Sequence, residues 1–307
     1  MKIVFFGTAN VALPVLEALK AQHEILAVVT TPDVRVGRKQ ILQESPVSAL
    51  AKDLNLPLHK PEKVKNNSEF LETLKSLGAD IFVVVAYGKI LPLELINLPQ
   101  LKTVNVHFSL LPKYRGSSPI QAALLNGDTE TGTTIFVLDE LVDHGPIIAQ
   151  KTAVVGISDN YFTLSDSLAR MSAGIINQTL ADYASGKTTP LPQDESGVSL
   201  TKIISKADGK INWQKNAWDI YNQYRAFYIW PGIWCVYKGQ NLKITSCVPK
   251  EQETGSSAPG TILEGGAVVC GENTILQIKS LQLAGKNETA ISDFLNGYKD
   301  FVGSVLD

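Results

Sequence analysis

The chain has 307 residues, 44% of them hydrophobic and 19% charged, and a formal net charge of -2. That is length for two domains or one large one, in the composition range of soluble globular proteins. The near-neutral balance gives no global pull toward nucleic acid, so any RNA contact has to use local basic patches.

No stretch reaches the ~18 apolar residues of a membrane helix, and the apolar opening Met1 to Gly7 is one strand long, too short for a signal peptide. Three cysteines (Cys235, Cys247, Cys270) without CxxC spacing give neither a disulfide framework nor a zinc site. A cytoplasmic protein with no metal and no membrane partner is the default expectation.

Residues 2–6 read as a buried strand ending at Gly7, followed by a helix through Val15, Leu16 and Leu19 and a second strand, Ile25 to Val29. This β-α-β opening predicts a parallel sheet with crossover helices. One glycine stands in the first turn where a dinucleotide fingerprint needs GxGxxG, so a nicotinamide cofactor is not expected. Residues 31–46 form a long loop with Arg35, Arg38 and Lys39 set against Asp33 and Glu44. It reads equally as a solvated loop or as a basic lid that meets a polyanion.

Helical patterns occupy 46–54 and 68–77. The nearly all-apolar strand Asp80 to Ala86 should lie centrally, ending in Tyr87-Gly88-Lys89-Ile90-Leu91-Pro92. Ligands of open α/β sheets bind outside the carboxyl ends of the strands, which puts the loops after residues 6, 29, 86 and 107 on one rim.

The run from Val104 to Gly116, VNVHFSLLPKYRG, starts as a strand and is stopped by Pro112 and Gly116. Asn105 and His107 are two apart, so their side chains leave the same face. An amide and an imidazole together suit stabilising an oxyanion and moving a proton. Burying two such groups costs about 1–3 kcal/mol each unless partners are supplied. A short helix follows at Pro119 to Leu125, then strands Thr133 to Leu138 and Ile147 to Val155 joined by a turn from Asp139 to Pro146. Asp143 in that turn is a candidate to hold His107 in one tautomer; His144 competes for the role. A helix over 161–183 carries Phe162, Leu164, Leu168, Met171, Ile175, Ile176 and Leu180 as a core stripe.

Gly186 to Gln193 reads as the start of a linker. Beyond it, a helix near 215–226 precedes short strands at 233–237, 242–248, 261–264, 267–270 and 274–283, the pattern of a small antiparallel OB-like barrel. The expected organisation is a catalytic domain over 1–186, a linker over 187–205 and a barrel domain over 206–307.

The run Asn105 to Ile120 with the Asp143-His144-Gly145 turn resembles the signature of the 10-formyltetrahydrofolate-dependent formyltransferases. Likeness extends over nearly the whole chain: Phe6-Gly7-Thr8, Thr31-Pro32-Asp33, Val84 to Gly88, Gly127 to Gly132, Ser205-Lys206, Ile211 to Trp213, Arg225-Ala226-Phe227, Trp230-Pro231-Gly232 and Pro259 to Ile262. The resemblance implies a Rossmann-like α/β domain with a mostly parallel sheet, followed by the barrel. It implies a formyl group passing from N10 of the folate to the α-amino group of methionyl initiator tRNA, through a tetrahedral intermediate.

In that scheme Asn105 and a protonated His107 hydrogen-bond the oxyanion, and Asp143 supports His107. The pterin lies against Tyr87, Gly88 and Ile90 and against Ser109, Leu110, Leu111 and Pro112. Ser109 is not expected to act as a nucleophile, since no GxSxG elbow surrounds it. Arg35, Arg38, Lys39, Lys206 and Lys210 are the tRNA candidates, although residues 206–307 hold ten basic and ten acidic side chains. Leu141-Val142 and His144 depart from the family's usual glycine, leucine and threonine around the Asp143 position. A monomer is expected. The rival readings are an amino-sugar-nucleotide formyltransferase of the same superfamily and a non-catalytic RNA- or folate-binding protein.

Overall fold

Residues 1–37, 40–250 and 257–307 are described by a computed structural model. In chain order the first strands are β1 (Lys2–Gly7), β2 (Glu24–Val29), β3 (Val34–Val36), β4 (Ile41–Gln43), β5 (Leu58–His59), β6 (Ile81–Val85), β7 (Thr103–His107), β8 (Glu130–Val137) and β9 (Ile147–Val154). The helices are α1 (Leu13–Gln22), α2 (Pro46–Asp53), α3 (Ser68–Ser76), α4 (Leu93–Ile96), α5 (Pro119–Leu125) and α6 (Tyr161–Ala184). Seven strands form one sheet in the order β5-β2-β1-β6-β7-β8-β9; β3 and β4 make a separate hairpin. Every pairing from β5 to β7 is parallel, and β8 and β9 add on antiparallel.

The apolar run of β6 is explained by its place: all five residues are buried in the middle strand. Alternation sends Val4, Phe6, Ala27, Val29, Phe82 and Val84 to one face, where α3 covers them with Phe70 and Leu74 and α4 with Leu95 and Ile96. Burying each such side chain contributes about 1.5–3 kcal/mol. Helix α6 is tied to α1 by Asn177 Nδ2 donating to the Ala18 carbonyl at 2.9 Å, and to β8 by the Ser172–Thr133 hydroxyl pair at 2.7 Å. Leu164, Leu168, Ile176 and Leu180 of the predicted stripe are buried, but Phe162 is 62% exposed. It sits in the first turn, ahead of the point where the helix begins to bury a side.

Two compact units emerge. One comprises Met1–Pro119, Glu130–Val154 and Leu164–Thr201; the other comprises Ile120–Thr129, Val155–Thr163 and Lys202–Asp307. The second holds α7 (Ala217–Ala226), β10 (Ile233–Tyr237), β11 (Gln240–Lys250), β12 (Ala267–Val269), β13 (Ile275–Leu283), β14 (Thr289–Ala290) and α8 (Ile291–Gly297). Its antiparallel sheet runs β10-β11-β13-β12, with β14 on β13. Residues 261–264, expected as a strand, contribute only isolated bridges: Thr261 to Val305 and Ile262 to Val268. Those bridges matter, because Val236 and Asp307 exchange both backbone hydrogen bonds at 2.8 and 3.1 Å. The C-terminal residues thereby join β10 to the segment that pairs with β12, and the ring of backbone pairing closes.

Within the first unit, the segment expected to be a linker is paired to the sheet and its loops. Ile147 and Leu191 exchange backbone hydrogen bonds at 2.7 and 2.8 Å, and Ser199 and Thr201 pair with Arg115. No helix among the described residues is long and apolar enough to cross a membrane.

Candidate active site

Strand β7 lies between β6 and β8, with Asn105 opposite Val84 on one side and Phe136 on the other. Val104 and Val106 are buried in the sheet, so the pleat sends Asn105 and His107 to the opposite face. His107 is 6% exposed and its Nε2 lies 2.9 Å from the Tyr114 carbonyl. The turn that supplies this carbonyl is braced from the antiparallel strands. Thr134 Oγ1 donates to the Ser109 carbonyl at 2.7 Å and accepts from Leu111 N at 3.1 Å, while Gln150 Nε2 donates to the Leu111 carbonyl at 2.7 Å.

Asp143 reaches the same face by an indirect route. The Leu138 N–H donates to the Thr103 carbonyl, so the β8–β9 loop starts at the far end of β7 and folds back over the strand. Its carboxylate accepts from Gly116 N at 2.8 Å and from Asn105 Nδ2 at 3.4 Å, and Oδ2 is 3.5 Å from His107 Nδ1. The last distance is longer than the 2.7–2.9 Å of a tight charge-assisted bond. Both ring nitrogens thus face oxygens that only accept, and both contacts become hydrogen bonds only when each nitrogen carries a hydrogen. Asp143 holds a left-handed backbone (φ 50°), and a Cβ on Gly145 would come within 1.8 Å of the Val137 carbonyl oxygen. Only glycine fits that second position.

His144 turns away from this cluster. Its Nδ1 contacts Asp139 Oδ2 at 2.6 Å and its Nε2 lies 3.6 Å from Glu195 Oε1, so of the two candidates in the turn Asp143 is the one beside His107. Ser109 is fully buried and donates to the Lys113 carbonyl at 2.6 Å, which commits its hydroxyl to the turn. The Tyr87 ring is packed in the core against Phe6, and burial pushes its hydroxyl up to about 12. The Tyr87 carbonyl accepts from Thr8 Oγ1 at 2.8 Å. Gly88 is exposed, Ile90 is 79% exposed, Leu110 and Pro112 are half-buried, and Leu111 is buried. The apolar side chains of Ile90, Leu141 and Val142 are exposed.

Of the basic candidates, Arg35 is exposed on β3 and donates to the Gln40 carbonyl at 3.2 Å; Arg38 and Lys39 lie outside the described residues. Lys206 and Lys210 are exposed in the second unit. Lys238 is paired with Asp300. Arg225 is 5% exposed and donates to the Gly156 and Asp159 carbonyls at 3.0 and 3.1 Å, a structural clamp rather than a surface cation.

Sequence reasoning gave no role to Gln193 or Arg115. Gln193 Nε2 donates to the Asp143 and Gly145 carbonyls, both at 2.9 Å, and Arg115 is buried between Gln193 and Glu195. Nothing in the polar composition of 187–205 distinguishes such a residue from a solvated linker.

An amide, an imidazole and a carboxylate meet on one face of β7, residue types able to serve acyl-group chemistry. A formyl transferase model matches residues 1–180 and a formyl transferase C-terminal domain model matches 203–299; the chain belongs to the formyl transferase family. It is 41% identical over 312 residues to a methionyl-tRNA formyltransferase of Caldicellulosiruptor saccharolyticus, with all of both chains covered. A methionyl-tRNA formyltransferase of Listeria innocua is 40% identical over 299 residues, covering 96% of this chain and 95% of that one. Among solved structures, the sugar 3N-formyl transferase WlaRD superposes with a TM-score of 0.67 at 21% identity, over 94% of this chain and 99% of that one. The N-formyltransferase of Helicobacter canadensis does so with a TM-score of 0.66 at 21% identity, over 91% and 99%. Likeness at that level speaks for the fold.

Proposed function

We propose that this chain transfers the formyl group of 10-formyltetrahydrofolate to the α-amino group of methionyl initiator tRNA. The observation that carries the chemistry is the meeting of Asn105, His107 and Asp143 on one face of β7. The neutral amine attacks the formyl carbon, the carbonyl electrons move to oxygen, and the Asn105 amide donates a hydrogen bond to the oxyanion. Preorganised donors of this kind contribute about 3–4 kcal/mol each in a site closed to water. His107 Nε2 is held by the Tyr114 carbonyl, so for it to serve the oxyanion the bond to Tyr114 must be exchanged for one to substrate. Asp143 stabilises the doubly protonated ring and accepts the amine proton directly or through water. Collapse of the intermediate breaks the bond to N10, which takes up a proton, and leaves N-formylmethionyl-tRNA.

The folate ring is assigned to the backbone and apolar edges of Tyr87, Gly88 and Ile90 and of Ser109 to Pro112, with the Tyr87 and Ser109 side chains committed elsewhere. Exposed Arg35, Lys206 and Lys210 are assigned to tRNA phosphates, with Arg38 and Lys39 beside Arg35 in sequence. The domain reading remains a catalytic part over 1–186, a connecting segment over 187–205 and a tRNA-binding part over 206–307, in a cytoplasmic monomer that needs no metal. Incubation with 10-formyltetrahydrofolate and charged initiator tRNA should give N-formylmethionine. An amino-sugar nucleotide serves as the rival acceptor, and formylation of the sugar but not of the tRNA would replace this assignment.

A further inference from the structure

The strap from Leu191 to Thr201 touches both loops that meet at His107. One end of it clamps the carboxylate loop: Gln193 Nε2 gives its hydrogens to the Asp143 and Gly145 carbonyls at 2.9 Å each. The other end pairs with the Tyr114–Arg115 turn, where Tyr114 N donates to Ser199 Oγ at 2.8 Å and Arg115 N to the Ser199 carbonyl at 2.9 Å. A side-chain chain closes the circle. Arg115 Nε donates to Gln193 Oε1 at 3.0 Å, and the same guanidinium pairs with Glu195 at 2.6 and 3.3 Å. Within the loop Asp139 accepts from Leu141 N at 3.0 Å and contacts His144 Nδ1 at 2.6 Å, whereas the Asp143 and Gly145 carbonyls are held by Gln193. Leu141 and Val142 are 56% and 58% exposed, and Asp143 sits in a left-handed conformation that non-glycine residues hold only when the surroundings impose it.

We propose that Gln193 is a positioning residue for formyl transfer: its amide locks the Asp143–Gly145 turn to Arg115, and so sets the carboxylate against His107. The inference rests on the reading that Asp143 belongs to the catalytic machinery. A displacement of about an ångström at a reacting group costs about a hundredfold in rate, while substrates held elsewhere keep their affinity.

Gln193→Met removes both donors and the acceptor for Arg115 Nε at similar length, and since Gln193 is only half-buried its replacement opens no core cavity. The expected result is a fall in kcat of about 10- to 100-fold, with KM for folate and for tRNA within about threefold and a thermal midpoint close to wild type. Gln193→Glu, which keeps the acceptor for Arg115 but turns a carboxylate oxygen toward two carbonyls, should lose as much; it decides the matter if the Met variant misfolds. In an Asp143→Asn background, measured by single turnover at high enzyme concentration, Gln193→Met should cost less than about threefold, because the carboxylate it positions is already removed.

Wild-type kcat in either folded Gln193 variant overturns the inference. So does a full, additive loss in the Asp143→Asn background, or a loss confined to KM. If Asp143→Asn by itself keeps its turnover, the reading of the site falls, an outcome distinct from an intact Gln193 variant beside a crippled Asp143→Asn.

Discussion

Replacing Asp143 by Asn tests the centre of the site with the least disturbance of shape. The amide oxygen can still accept from Gly116 N, now at 2.8 Å from the carboxylate, so the turn keeps its backbone anchor. What disappears is the negative charge 3.5 Å from His107 Nδ1. At an effective dielectric constant of about 20, two unit charges at that distance attract by about 5 kcal/mol before desolvation is counted, and relief of the desolvation penalty trims this toward about 3 kcal/mol. If the charge is felt fully only when the imidazole carries both hydrogens in the transition state, the loss falls on kcat. Each 1.4 kcal/mol is a factor of ten, so turnover should drop by roughly 10²- to 10⁴-fold. Folate affinity should change little, because no part of the apolar ligand surface is altered. Single-turnover formylation of methionyl-tRNA gives the rate, and equilibrium fluorescence titration with the folate gives the affinity. A variant within threefold of wild-type turnover would refute the argument that this carboxylate supports His107.

Three other outcomes are expected. Burial pushes the thiols of Cys235 and Cys270 up to about 12 and that of Cys247 higher still. All three are therefore protonated near pH 7, and the native protein should react with no equivalent of a thiol reagent until denaturant exposes three. Gly145→Ala puts a methyl where the Val137 carbonyl oxygen lies, so it should destabilise the fold by about 1–3 kcal/mol in urea unfolding and lower kcat by displacing Asp143. The Lys202 ammonium and the Ser205 capping bonds hold the Asp208 carboxyl down, from 3.8 to about 2. Its stabilising contribution is fully present above pH 3.8 and is lost as pH falls through about 2, so the thermal-midpoint advantage of wild type over Asp208→Asn should vanish across that window.

How much of this was open to sequence reasoning follows from the range over which each interaction acts. Ile81–Val85 announces a middle strand because burial on both faces leaves no polar position, and the β-α-β opening is written in alternation and spacing. Asn105 and His107 share a face by the pleat alone. Asp143 is legible only as one candidate of two, since its loop leaves from the far end of β7 and returns, a path fixed by tertiary packing. Chemistry with no compositional trace stayed hidden. Gln193 lies in PLPQDES, which reads as linker, yet its amide joins two site loops; closure of the barrel depends on Val305 to Asp307, three residues with no strand pattern. Arg225 is equally hidden, a cation by type that is buried and donates to two backbone carbonyls. Local patterns thus specify the elements and one half of the site. The other half is assembled by loops whose conformations, left-handed at Asp143 and sterically bare at Gly145, make sense only once the sheet that imposes them has formed.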